Sequence, residues 1–162
     1  MANCPTCVLM DKIKDNVAAL EKLCQEIVIK YVKKDIDGDG KPETFCNRAV
    51  KYVAAQMGCT DFKANDLANA MYDRMLEKWR QVSPEDAVYH AQHGGLAVAA
   101  KKDTPHGHVA VVYPRTMEKS PSHGIMVPIV ANAGRENGIG RASQYFTYRD
   151  GGPDYFLWGR TP

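Results

Sequence analysis

The sequence predicts one α+β domain, with helices in its first half packed on an antiparallel sheet formed by its second half. Apolar side chains recur at helical spacings of three and four up to Gly94-Gly95, and short β-rich segments separated by turn residues follow. A length of 162 residues, with 44% hydrophobic and 25% charged residues, is ordinary for one globular domain. We find no internal repeat or interdomain linker, so residues 1–162 are expected to form a single domain.

The first predicted element is a long amphipathic helix over residues 8–34. Its apolar positions form one helical face, with Asp, Glu and Lys on the other face. The segment DIDGDGKPET then ends the helix, because it contains two glycines and a proline. The apolar positions are Leu9, Ile13, Val17, Leu20, Cys24, Ile27 and Tyr31.

Three further helices are predicted before the sheet. One starts close to Cys46 and is capped by Gly58, and another runs over about residues 65–79. A short helix begins after Ser83, a favourable N-cap that is followed by a proline and two acids, and ends before Gly94.

Four segments have the composition of strands: GLAVAAK at 95–101, GHVAVVYP at 107–114, IMVPIVAN at 125–132 and DYFLWGR at 154–160. The glycine-rich stretch from Gly134 to Gly140 is interpreted as a flexible loop near the cleft, with Arg135 and Arg141 as candidates for contacting substrate carboxylates. The C-terminal aromatic residues are expected to serve core packing, and sugar stacking is the alternative.

Charge and targeting signals restrict the function classes. A net charge of +2 is small for a nucleic-acid binder. The apolar run at residues 8–10 is too short for a secretory signal, and no stretch is long enough to span a membrane. We therefore expect cytoplasmic synthesis without a signal peptide. Five cysteines, an odd count, argue against a disulfide framework, and the lone Cys4–Cys7 pair is interpreted as incidental.

Cys46 is the candidate nucleophile. It lies at a predicted helix N-terminus, where unpaired backbone N–H groups and the helix dipole favour a thiolate and lower the thiol pKa. The alternative is that Cys46 is a small buried apolar residue, as many single cysteines are.

His108 and Asn132 are the candidate partners of this cysteine. His108 begins an apolar strand, a rigid position for a general base. Asn132 follows the next strand and has an amide oxygen that can accept a hydrogen bond from the far imidazole nitrogen. Asn137 competes for this role, although its Asn-Gly setting is typical of a turn. A structural histidine and a turn asparagine are the alternatives.

Two motifs in this order, Thr44-Phe45-Cys46-Asn47 and Gly107-His108-Val109-Ala110-Val111, resemble those of papain-like cell-wall hydrolases of the NlpC and CHAP type. The resemblance covers about residues 35–158. It implies a papain-like fold and a thiolate that attacks an amide carbonyl to form an acyl-enzyme. Cys46 would be the nucleophile, His108 the base and then acid, and Asn132 the orienting group. The Cys46 backbone N–H would contribute to the oxyanion hole.

The substrate implied by the resemblance is the peptide stem of peptidoglycan. The protein would act as a monomer in the periplasm or cell wall after release or injection, as a phage lysin or antibacterial effector does. Two alternatives are a non-catalytic wall-binding or virion structural module with this fold, and a papain-like deamidase or acyltransferase.

The segment from Asp35 to Glu43 resembles the first half of a calcium loop. Carboxylates at alternate positions followed by glycine suit a hard cation. The twelfth position, where a bidentate Glu belongs, is Cys46, so the pattern is incomplete and a solvated acidic turn is the alternative. A Ca²⁺ ion here would order the segment that precedes Cys46. The candidate ligands are Asp35, Asp37, Asp39, the carbonyl of Lys41, and Glu43.

Overall fold

A computed structural model describes residues 5–159. Cys4 lies outside this range, and so does the end of the last predicted strand, residue 160. Within this range, four helices lie before residue 93 and a short fifth one follows near its C-terminal end. They are α1 (Pro5–Lys30), α2 (Cys46–Gln56), α3 (Ala68–Lys78), α4 (Pro84–Gln92) and α5 (Ala142–Tyr145).

Helix α1 has different bounds from the predicted 8–34. It begins at Pro5 and ends at Lys30, because Lys34 instead forms a β-bridge with Glu43. The predicted apolar face is buried only in the second half of the helix, through Leu20, Cys24 and Ile27. The N-terminal half of α1 therefore projects beyond the core.

The predicted starts and stops of α2 and α4 are confirmed. Helix α2 begins at Cys46, and Gly58 has a φ of +90°, which a glycine adopts readily after a helix. At α4, the Ser83 hydroxyl accepts a hydrogen bond of 3.1 Å from the Asp86 N–H. Helix α3 begins later than predicted, at Ala68. The preceding turn is held by the Asp66 carboxylate, which accepts hydrogen bonds from the Lys63 N–H and from Arg74 of α3.

The main sheet has six strands, and every neighbouring pair is antiparallel. The strand order is β1-β8-β2-β3-β6-β7, and β4 and β5 form a separate pair. The predicted α+β class with helices and an antiparallel sheet is thus confirmed. The strands are β1 (Arg80–Val82), β2 (Ala97–Lys101), β3 (His108–Val112), β4 (Glu118–Lys119), β5 (Met126–Val127), β6 (Ile129–Asn132), β7 (Gly138–Arg141) and β8 (Asp154–Leu157).

The glycine-rich stretch differs from the prediction. Its second half forms strand β7, so only residues 133–137 remain a loop. The glycines serve packing, because a Cβ at Gly138 would lie 2.8 Å from the Tyr145 hydroxyl. Strand β1 was not predicted, because three residues are too few to show a periodicity.

The centre of the sheet is buried on both faces. Successive side chains of β2 and β3 point to opposite sides, and nearly all of them are inaccessible to solvent. Helix α2 packs against β3, which brings the start of the helix to the strand that carries His108. Within residues 5–159, no helix is long and apolar enough to cross a membrane.

Candidate active site

Cys46 is the first residue of α2, and its side chain lies under the protein surface with 8% exposure. Phe45, the residue before it, makes no side-chain cap, and the first turn contains no acidic residue. The backbone N–H groups of this turn are therefore free to face a negative charge on the sulfur or on a bound carbonyl oxygen.

The pKa of the Cys46 thiol is raised above its ordinary value, chiefly because burial penalises the thiolate. Hydrogen bonds from the backbone N–H groups of Val109, Asn47 and Cys46 itself lower the pKa, but less than burial raises it. The expectation of a lowered thiol pKa is thus wrong for the resting protein. The backbone N–H groups at the helix start lower the thiol pKa as expected, but desolvation of the thiolate raises it by more.

The Val109 N–H connects the two halves of the site. Val109 directly follows His108 on β3, and its N–H donates to the Cys46 sulfur. The packing of α2 on β3 therefore brings Cys46 to the backbone next to His108. Sequence separation hides this relationship, since about 60 residues lie between the two side chains.

His108 and Asn132 form a direct hydrogen bond. The His108 Nε2 lies 2.5 Å from the Asn132 Oδ1, and Asn132 is only 2% exposed at the end of β6. The Asn132 Nδ2 donates to the Glu136 carbonyl at 2.7 Å. Because a carbonyl can only accept, the amide nitrogen must face Glu136 and the amide oxygen must face His108.

This arrangement selects one tautomer of His108. An acceptor on Nε2 requires a proton there, so the neutral ring has its lone pair on Nδ1. Nδ1 has no hydrogen-bond partner among residues 5–159. The neutral imidazole is thus able to accept a proton through Nδ1.

The surroundings of His108 are apolar and tight. The Phe146 ring lies 4.8 Å from the imidazole, centroid to centroid. A Cβ at Gly134 would be 3.1 Å from the His108 Cε1, so this position has room only for glycine unless the ring moves. Burial lowers the pKa of His108 and the bond to Asn132 partly opposes this effect, so the neutral imidazole is favoured.

Asn137, the competing candidate, does not contact His108. Its Nδ2 donates to the carbonyls of Val28 and Tyr31, at 3.0 and 3.1 Å, and its Oδ1 accepts from the Gly134 N–H. Tertiary packing thus brings Asn132, and not Asn137, to the imidazole.

The acidic loop is exposed and lies just before α2. Carboxylate oxygens of Asp35, Asp37 and Asp39 lie within 4.8 Å of one another, and hard oxygen donors at this spacing suit a divalent cation. Glu43 is not a member of this group, since its carboxylate accepts a 2.8 Å hydrogen bond from the Ile36 N–H. Lys41, whose carbonyl was the other predicted ligand, lies in the same loop, and its N–H donates a 2.8 Å hydrogen bond to the Asp39 carboxylate.

Several other candidates have structural partners or lie apart from the site. Arg141 faces Glu118 at 3.8 Å, whereas Arg135 is exposed. The interpretation of the aromatic residues as core is confirmed for Tyr155 and Phe156, which are buried in β8. A surface cavity of about 600 Å³ is lined by residues of β1 and its neighbours, and not by Cys46 or His108.

Three residues shape the site in ways that the sequence patterns did not predict: Gly134, Glu136 and Phe146. A strand-register argument would have found the first. Val111 pairs with Ala131 in the antiparallel β3–β6 ladder, and continuing this register sets His108 opposite Gly134, with Asn132 on the same face. Glu136 contributes through its backbone carbonyl, which a side-chain pattern does not reveal.

No protein-family model matches the chain, and a search of curated proteins gave no significant match. The geometry around Cys46, His108 and Asn132 is therefore the basis for assigning a function.

Proposed function

We propose that this protein is a papain-like cysteine amidohydrolase or peptidase that cleaves amide bonds in the peptide stems of peptidoglycan. The observation that carries the chemical part is the His108–Asn132 hydrogen bond, because it keeps the proton on Nε2 and leaves Nδ1 as the base. The cell-wall substrate is supported by the motifs around Cys46 and His108 and by the small positive charge, which suits an anionic wall.

The first half of the reaction forms an acyl-enzyme. His108 Nδ1 takes the thiol proton as the Cys46 sulfur attacks the amide carbonyl carbon. The carbonyl oxygen gains negative charge, which the open N–H groups at the start of α2 stabilise, among them that of Cys46. When the tetrahedral intermediate collapses, the C–N bond breaks and His108 gives its proton to the leaving amine.

The second half releases the acid product. Water loses a proton to His108 and attacks the thioester, and the Cys46 sulfur leaves and is reprotonated. Between turnovers both groups are neutral, because burial disfavours the thiolate and the imidazolium alike. His108 thus acts as a general base at the moment of attack, and a preformed ion pair is not required.

Calcium is part of the proposal as a structural ion. The carboxylates of Asp35, Asp37 and Asp39 would hold it, and it would supply charge neutralisation to a loop that ends at Cys46. Lys34 and Glu43 already close the base of this loop through two backbone hydrogen bonds of 3.1 and 2.9 Å. The ion would act on the loop and not on the substrate.

The proposal includes the setting in which the enzyme acts. It works as a monomer and acts on the peptide stems in the periplasm or cell wall, which it reaches by release or injection. Neither nucleic acid nor membrane insertion is part of this function.

Digestion of purified peptidoglycan sacculi tests the proposal. Wild type, Cys46→Ala and a Cys7→Ala control are compared with calcium and reductant present, and soluble products are read by mass spectrometry. Cys7 is an exposed cysteine on α1 and serves as the matched substitution. We expect fragments from wild type and Cys7→Ala and none from Cys46→Ala, with fragment masses that identify the bond.

No release by folded wild type would contradict the cell-wall substrate. Rapid alkylation of Cys46 in that same protein would then favour the second candidate, a deamidase or acyltransferase that uses the same three side chains. Slow alkylation of Cys46 would favour a non-catalytic module.

A further inference from the structure

The loop between β6 and β7 is tied to the end of helix α1 by one side chain. The Asn137 Nδ2 donates to the Val28 carbonyl at 3.0 Å and to the Tyr31 carbonyl at 3.1 Å. Val28 belongs to the last turn of α1, where backbone acceptors lose their helical partners, and Tyr31 is the residue that directly follows the helix. Asn137 thus satisfies the end of a helix that is more than 100 residues away in sequence.

The same side chain also holds its own loop in shape. The Asn137 Oδ1 accepts the Gly134 N–H at 3.1 Å, which closes the turn that contains Glu136. The Glu136 carbonyl in this turn receives the Asn132 Nδ2 at 2.7 Å. The position of the turn therefore decides where the Asn132 amide is held, and with it the His108 ring.

We propose that Asn137 is a positioning residue that links the C-terminal end of α1 to the Asn132–His108 pair. The inference rests on the proposed function, because it assigns Asn137 a role in the same catalytic site. Removing its donors would free the 133–137 turn from α1, and the Glu136 carbonyl would no longer fix the Asn132 amide. His108 would then lose its bias toward the Nε2–H tautomer.

The chemistry of the amide explains why asparagine suits this position. Its nitrogen offers two protons for two carbonyls, and its oxygen offers an acceptor for an N–H. Aspartate retains the acceptor but has no donor, so it would repel the carbonyls of Val28 and Tyr31. Alanine retains neither function. Asn137→Asp therefore removes only the link to α1, whereas Asn137→Ala removes both this link and the hydrogen bond that closes the turn.

The link also explains how α1 belongs to the site. The chain continues from α1 through the acidic loop to Cys46, so one side of the site starts at the end of this helix. The other side is held by Asn137, and α1 packs against both β6 and β7. The C-terminal turn of α1 is thus a shared support for the nucleophile segment and for the histidine partner.

The test compares Asn137→Ala, Asn137→Asp, Asn132→Ala as a reference, and Asn16→Ala as an exposed control on α1. Imidazole ¹⁵N shifts of the full-length protein report the His108 tautomer, and iodoacetamide labelling at pH 7 reports the Cys46 rate. Urea unfolding and circular dichroism monitor folding. We expect both Asn137 variants to lose the pure Nε2–H signature and to label Cys46 about tenfold more slowly or worse. Asn16→Ala should match wild type.

The proposal is overturned if folded Asn137→Ala keeps the Nε2–H signature and the wild-type labelling rate. It is also overturned if Asn137→Asp behaves as wild type, because the donors to α1 would then be dispensable. If one variant fails to fold, the tautomer and labelling rate of the other variant test the proposal. The His108 ¹⁵N shifts of the wild-type protein are the reference for both variants. Tautomer and labelling need no substrate, so they separate this inference from a failure to digest sacculi.

Discussion

The His108 Nε2 and the Asn132 Oδ1 lie 2.5 Å apart, and this contact determines which nitrogen of the imidazole is available for chemistry. The Asn132 amide cannot rotate to offer its nitrogen, because that nitrogen already donates to the Glu136 carbonyl. A buried amide with both ends satisfied is a more rigid orienting group than a solvated one.

Asn132→Ala is expected to lower kcat/KM by about tenfold or more, because the His108 ring loses its orienting acceptor and its preferred tautomer. Asn132→Asp retains an acceptor and adds a negative charge, which raises the pKa of His108 and should move the acid limb of the rate profile to higher pH. Initial rates across a pH series check both variants. Equal activity of wild type and Asn132→Ala would exclude an orienting role.

Gly134→Ala is expected to reduce activity more than it reduces stability. The new Cβ would lie 3.1 Å from His108 Cε1 and 3.3 Å from Asn132 Nδ2, so the ring and the amide must shift by a few tenths of an ångström. Gly134→Val should be worse, because its methyl groups reach farther. Rates and urea midpoints are compared with those of Gly124→Ala, which has open space at its Cβ position but a φ of +68°, so this control is expected to lose stability through backbone strain and to keep its activity. Unchanged rates in Gly134→Val would contradict the tight fit.

The acid limb of kcat/KM is expected below pH 6.5, the ordinary His pKa, because burial lowers the pKa of His108 and the neutral ring is the active base. Stability should follow the same group. As pH falls through 6.5, the unfolded chain takes up a proton before the folded protein does, so the free energy of unfolding decreases. Urea titrations of wild type and His108→Gln from pH 7.5 to 4.5 check this. In His108→Gln, the free energy of unfolding should depend less steeply on pH than in wild type. Part of the dependence should remain, because the pKa of buried His90 is also lowered.

Thiol reactivity is expected to single out Cys46 among the buried cysteines. Burial raises the pKa of Cys24 to about 12 and that of Cys59 to about 11, so neither should react near neutral pH. In a Cys4→Ser/Cys7→Ser background, iodoacetamide at pH 7 should modify Cys46 first, as read by peptide mass spectrometry. His108→Ala should slow this modification, because the proton acceptor is gone. Labelling of Cys24 or Cys59 at the same rate would argue against an activated Cys46.

Calcium is expected to bind the 35–39 loop and to raise the thermal midpoint, since a ligand that binds only the folded state stabilises it. Calorimetric titration of wild type and of an Asp37→Asn/Asp39→Asn variant checks the binding, with Mg²⁺ as the competing ion. Activity should fall in chelator and return with Ca²⁺ but not with Mg²⁺. Equal Ca²⁺ titration curves for wild type and variant would show that any bound ion lies outside the 35–39 loop. Unchanged activity in chelator would contradict a role for calcium.

Local patterns predicted much of the fold because they act over a few residues. The helix start at Ser83 depends on one hydroxyl and on one N–H three residues later. The end of α2 depends on Gly58, whose backbone adopts a positive φ. The end of α1 depended on remote partners instead, since Lys34 pairs with Glu43 and Asn137 binds the final carbonyls. A periodicity in residues 8–34 contains no information about these contacts.

By itself, the sequence determined the order of helices and strands, the helix start at Cys46 and the strand start at His108. These features depend on the spacing of apolar residues and on turn residues, both of which involve only neighbours in the chain. Only the tertiary structure decided between Asn132 and Asn137, because the choice depends on the register of β6 against β3 and on where α1 ends. It also decided the sign of the Cys46 pKa shift, since desolvation is a property of everything packed around the thiol and not of the helix start alone.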